Sequence, residues 1–188
     1  MLRKFKRRMA AIAFVAIVLT LCTQTTLAYY TTIGKATNVV TSGNITLEIH
    51  EMTDQGTPFP TEGVYITPGD VVSKVVTVEN ICDHPFYLRV KLVSGINDRE
   101  LTAEDCFRLN IDEENWVYSD GWYYYADIVE PGEETPYIFS NVEIVGDKVD
   151  TAYIGSTLSL SVIAQAVQSE NNPIQNGDTT TASGWPAE

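Results

Sequence analysis

The side chains best suited to chemistry are His50, His84, Cys82, Cys106 and several carboxylate clusters, and their spacing forms none of the familiar reactive sets. A helical zinc-protease motif needs Glu beside a first His and a second His four residues on. His50 is followed by Glu51, but Asp54 stands where the second His belongs. His50, Cys82, His84 and Cys106 are the strongest zinc donors, yet no spacing among them requires that they meet. Asp112-Glu113-Glu114 and the group Glu130, Glu133, Glu134 fall at expected turns, without the ordered ligand spacing of a calcium loop. No Gly-x-Ser-x-Gly elbow, phosphate loop or dinucleotide fingerprint occurs. The expectation is therefore no catalytic residue, no cofactor and no metal, and a protein that is not an enzyme. Trp116, Tyr118, Trp122, Tyr123, Tyr124 and Tyr125 form an aromatic group that suits either a sugar platform or a core with a cross-strand ladder.

The elements that must carry these residues read as strand and turn. Ile45, Leu47 and Ile49 alternate with Thr46, Glu48 and His50, the period of a half-buried strand. Val71 to Val78 is rich in β-branched residues, which pack well on a pleated surface. Phe86 to Val93 alternates again, with Arg89 and Lys91 on the polar side. Thr67-Pro68-Gly69-Asp70 and Glu130-Pro131-Gly132-Glu133 are turn sequences, since Pro presets φ and Gly accepts a positive one. Asp120-Gly121 between two aromatic runs predicts a tight hairpin. Strands follow over Tyr137 to Val145 and Ser156 to Val167, and Thr102 suits the cap of a short helical turn. Seven or eight short strands and no helix of ten residues predict an all-β fold. Its natural closure is an antiparallel β-sandwich, jelly-roll or immunoglobulin-like. That domain is expected over residues 44–168. Residues 169–188, rich in Asn, Gly, Asp, Thr and Ser, are expected to be a flexible C-terminal tail, where Gly177→Val should not lower the melting temperature.

Ahead of the domain, Arg3, Lys4, Lys6, Arg7 and Arg8 precede an apolar run from Met9 to Leu21 and a polar exit to Ala28. Those three parts make residues 1–28 a secretory signal peptide, with cleavage expected between Ala28 and Tyr29. At ~1.5 Å per residue the run reaches ~20 Å, short of a ~30 Å hydrocarbon core, so membrane contact is expected only through the uncleaved signal peptide. Cleavage removes five of the 12 basic residues and no acidic one, leaving 7 against 25, a net of −18. Such a charge repels phosphate backbones, so nucleic acid is not an expected partner. Outside the cell a disulfide between Cys82 and Cys106 is permitted, with two separate thiols as the alternative. A loop of about 25 residues closed in that way stabilises by roughly 3–4 kcal/mol.

Three stretches give the chain a family likeness. Leu27-Ala28-Tyr29-Tyr30 with Ala36-Thr37 and Thr41-Ser42-Gly43-Asn44-Ile45-Thr46-Leu47 is the first. Ile66-Thr67-Pro68-Gly69-Asp70 leading to Asn80 is the second, and Tyr153-Ile-Gly-Ser-Thr-Leu-Ser-Leu with Ala164-Gln-Ala-Val-Gln168 the third. In order and spacing they resemble the TasA/camelysin family of matrix proteins, exported through a SipW-type signal peptidase. The resemblance implies a secreted jelly-roll subunit of a biofilm-matrix or surface fibre on a bacterial cell. Its partners would be copies of itself, joined head to tail, and the signal peptidase during export. It also implies donor-strand complementation by the N-terminal segment 29–43. Within that segment Tyr30, Ile33, Gly34, Ala36 and Val39 are the candidate donor residues, Gly34 and Ala36 being small enough to press on a neighbour's backbone. The alternative on the same fold is a monomeric surface adhesin or carbohydrate-binding module that presents the aromatic hairpin.

Overall fold

The structure, a computed structural model, describes residues 29–31, 38–42, 45–97, 103, 105–153, 155–170 and 172–186. Among these, eleven strands form two sheets. The strands are β1 (Tyr29–Thr31), β2 (Asn38–Ser42), β3 (Leu47–Met52), β4 (Val64–Ile66), β5 (Val71–Asn80) and β6 (Phe86–Ile96). They continue with β7 (Phe107–Ile111), β8 (Trp116–Ser119), β9 (Trp122–Tyr125), β10 (Phe139–Ile144) and β11 (Thr157–Gln168). The first sheet has the order β4-β1-β11-β6-β9-β8, with β2 also on β11; the second is β3-β5-β10-β7. All-β and sandwich-like, the fold meets the sequence expectation. Its pairings are antiparallel except where β1 and β2 run parallel to β11.

Alternation decides which residues enter the core. In β5, Val76 and Val78 are buried between neighbours that are half exposed. Across the first sheet, Leu88 opposes Ala166 and Val90 opposes Ala164, so a large inward side chain faces a small one. Phe139, Val142 and Ile144 of β10 close the layer from the other side. At the rim of this interior lies a charge. Lys74 is fully buried, with Nζ 2.8 Å from Glu51 Oε1 and 5.1 Å from the centre of the Phe59 ring. Burial lowers the lysine's pKa, and the charge and hydrogen bond of Glu51 oppose that shift.

The predicted hairpin is present. Asp120 and Gly121 have φ of 49° and 84° and join Ser119 to Trp122 in a two-residue turn. Both Pro-Gly turns close as well, Asp70 N donating to Thr67 O (3.0 Å) and Glu133 N to Glu130 O (2.9 Å). The expected cap Thr102 lies outside the described residues. Strands β4 and β7 had no counterpart in the sequence reading.

Two domain boundaries need correcting. Residues 29–31 and 38–42 are strands of the first sheet, so the folded unit begins before residue 44. The expected flexible tail is instead docked on the outer face of that sheet over 172–186. Ala182 packs with Tyr87 and Val167, joined by Ile128, Ile174 and Trp185. Buried Thr179 donates its hydroxyl to Tyr125 O at 2.8 Å. A polar composition concealed a few well-placed apolar anchors.

Candidate functional site

The feature that stands out is the edge of β11. Its other edge is fully used: eleven positions pair with β6, from Leu158 opposite Ile96 to Gln168 opposite Phe86. The free side is filled by the chain's N-terminal segment. Tyr30 sits opposite Thr157 and Thr31 opposite Leu158, while β1 is also clamped by β4 through Tyr29–Ile66, Tyr30–Tyr65 and Thr31–Val64. Further on, Asn38 to Ser42 pair with Ile163 to Val167, placing Val39 opposite Ala164.

The segment does not track β11 evenly. From Thr31 to Asn38 is seven steps (38 − 31), whereas from Leu158 to Ile163 is five (163 − 158), so the register of the second pairing is shifted by two from that of the first. Of the candidate donor residues, Tyr30 and Val39 therefore lie on the ladder. Ile33, Gly34 and Ala36 fall outside the described residues, as does Ala28 of the expected cleavage site. Main-chain hydrogen bonds make such an edge a docking site for any extended segment of suitable register.

The cysteines stay apart as two thiols. Cys82 lies in the turn after β5, where Sγ is 3.0 Å from Asn80 Oδ1 and 3.2 Å from His84 O. Cys106 is tied to the far end of that sheet, Val145 N donating to its carbonyl next to the Ile144–Phe107 pair. Strand β5 runs between those ends for ten residues, ~30 Å at ~3.3 Å each, whereas bridged Cα atoms lie within about 7 Å. The permitted disulfide is therefore not made. Burial raises the Cys106 pKa, partly offset by a hydrogen bond with Tyr153. The same separation keeps Cys106 away from Cys82 and His84, so the four strongest zinc donors in the sequence do not form one set.

The turn carboxylates serve their own loops. Asp112 accepts from Glu114 N and Asn115 Nδ2, Glu133 accepts from Glu130 N, and Glu134 accepts from the Thr77 hydroxyl. The aromatic group divides between two faces. Trp116 and Tyr125 face the core, ring centres 5.3 Å apart. Trp122 and Tyr124 face outward beneath the C-terminal segment. There Arg89 lies between the Trp122 ring (4.2 Å) and the Trp185 ring (4.8 Å) and donates to Gln165 Oε1, Tyr124 Oη and Pro186 O. Tyr118, 63% exposed, stands 5.0 Å from Tyr123 beside a cleft of about 430 Å³.

Fold and edge together define a β-sandwich whose first sheet is completed by its own N-terminal segment. Comparison with protein-family models, with curated proteins and with solved structures returns no match to this chain.

Proposed function

We propose that the chain is a secreted structural subunit of an extracellular fibre of the biofilm-matrix type. In the fibre, the segment from Tyr29 to Ser42 of one copy completes the first sheet of the next. The observation that carries this reading is the parallel seating of that segment on β11. The hydrogen bonds it makes within one chain are the ones it would make between chains, so exchanging it costs little beyond a change of connectivity. A head-to-tail contact of this kind does not close on itself and builds a filament. The resemblance to the TasA/camelysin family points the same way. Once residues 1–28 are removed, Tyr29 becomes a free end able to travel to a neighbour.

A covalent lock tests the proposal. With Cys82→Ser as background, Val39→Cys and Ala164→Cys place a thiol on each member of a registered pair. Oxidised as a monomer, the chain should carry an internal bridge and form no fibres under negative-stain microscopy. Oxidised after assembly, it should run as a ladder of covalent multimers. Ordinary fibres from the internally bridged chain would refute strand exchange. Deleting residues 29–42 should also abolish fibres, and it should lower stability because β4 loses its partner.

A second reading, a monomeric sugar-binding module, draws on exposed Tyr118 and its cleft. A Tyr118→Ala variant that loses glycan binding while the bridged chain keeps it would favour that reading.

A further inference from the structure

On the outer face of the second sheet, β3 and β5 bring three metal-ligating side chains together. Alternation sets Glu48 and His50 on one face of β3, and the register places Glu48 opposite Glu79 and His50 opposite Thr77. His50 Nε2 is 2.8 Å from Glu79 Oε2. One donor atom from each of Glu48, His50 and Glu79 lies within 4.8 Å of the other two.

The local charge favours a cation here. Glu48 opposes Glu79, and Glu79 in turn bridges to Glu134, giving a row of three glutamates across adjacent segments. Like charges in direct opposition weaken a sheet. Among the described residues neither Glu48 nor Glu79 has a lysine or arginine partner. Glu134 is engaged by the Thr77 hydroxyl, leaving the imidazole and two carboxylates as the donor set.

The imidazole sets this group apart from an acidic patch. Hard calcium takes six or more oxygens, whereas two carboxylates with one imidazole suit zinc and its first-row neighbours. Donors at ~2.1 Å from a tetrahedral ion stand about 3.4 Å apart. The three donors, already within 4.8 Å of one another, would close to that spacing around an ion. The strands themselves are held by six registered pairs, from Leu47–Asn80 to Met52–Val75, so the backbone under the ligands is already fixed.

We propose that Glu48, His50 and Glu79 form a solvent-facing site for a divalent transition-metal ion of the zinc type. Neutral His50 coordinates through Nε2, exchanging its hydrogen bond to Glu79 for a shared ion. Three protein donors leave a fourth position facing outward, open to water or to a carboxylate of a second copy. Zinc chloride titrated calorimetrically into the chelator-treated chain from Tyr29 onward tests the site, with melting curves recorded alongside. One equivalent should bind and raise the melting temperature. His50→Ala and Glu79→Gln should each weaken binding at least about ten-fold, while the metal-free variants still melt in a single cooperative transition that shows them folded. Glu143→Gln, on β10 and paired with Arg108, should bind like the parent. Calcium should bind more weakly than zinc. No zinc binding up to about 1 mM, unchanged affinity in His50→Ala, or calcium binding tighter than zinc would each overturn the proposal.

Discussion

Trp185→Ala removes the ring that closes the C-terminal segment over Arg89, and the geometry sets the size of the effect. The indole lies 4.8 Å from the Arg89 guanidinium and packs edge-on to Tyr124 with ring centres 5.6 Å apart. A cation–π contact contributes about 0.5–2 kcal/mol and a tilted aromatic pair about 0.5–1.5. With the apolar area lost from the small cluster around Tyr87, Val167 and Ala182, docking should weaken by about 2–4 kcal/mol. At tenfold per 1.4 kcal/mol, local opening becomes about 30- to 700-fold more frequent. Hydrogen exchange followed by mass spectrometry reads this directly. Peptides covering 172–186, which hold the Thr181 and Ala182 amides bonded to Asp178 O and Thr179 O, should exchange faster by that factor. Peptides from β11 should not change, because opening is local. A tail that already exchanges at the free-chain rate in the parent, or is unchanged in the variant, would refute the docking argument.

Other expectations can be checked with simpler assays. Gly121→Val meets no atom within 4 Å, so its cost is that of a β-branched residue at φ +84°, about 1–2 kcal/mol or somewhat more. The melting temperature should fall by roughly 3–8 °C, while Asp120→Asn stays within about 1 °C; equal effects would contradict the turn. Gly177→Val should speed exchange in the tail, since Asn176 and Gly177 have φ of 53° and 78° and form a second such turn. Native alkylation should modify half-buried Cys82 first and buried Cys106 only on unfolding, and an unreduced mass two hydrogens short would contradict two unbridged thiols. Burial raises the pKa of Tyr123 and Tyr125, with nearby acidic groups adding to the shift. Their folded forms hold protons longer than the unfolded chain does. The stability they contribute is complete below about pH 10 and is lost as pH rises through the raised values, which chemical denaturation across pH 9–12 would show.

What the sequence made legible follows from the range of each signal. The Asp120-Gly121 turn, the β-branched run of β5 and the β11 run are local patterns, and each became the element expected. Tyr29 to Val40 is β-prone in sequence, but the seating of Tyr30, Thr31 and Asn38–Ser42 on β11 depends on pairings across more than a hundred residues. Glu48 and His50 could be put on one face from their spacing alone. Glu79 joined them only through the β3–β5 register. The tail misled because its few anchors, Ile174, Ala182 and Trp185, are scattered among polar residues. Cys82 and Cys106 are close in number and far apart in space because the chain crosses the sandwich along β6 between them.

The position of β11 also governs when the molecule can fold. Among the described residues it is the last strand, yet it lies inside the first sheet, between β6 and the N-terminal strands. Val39 must wait for Ala164, 125 residues later (164 − 39), before its pairing can form. Contacts of such long range are slow to close, because chain entropy must be lost before they form. A chain emerging from a pore amino end first would present residues 29–42 early and their strand edge last. During that interval the leading end would have no seat of its own, and a molecule completed earlier would be the nearest source of one.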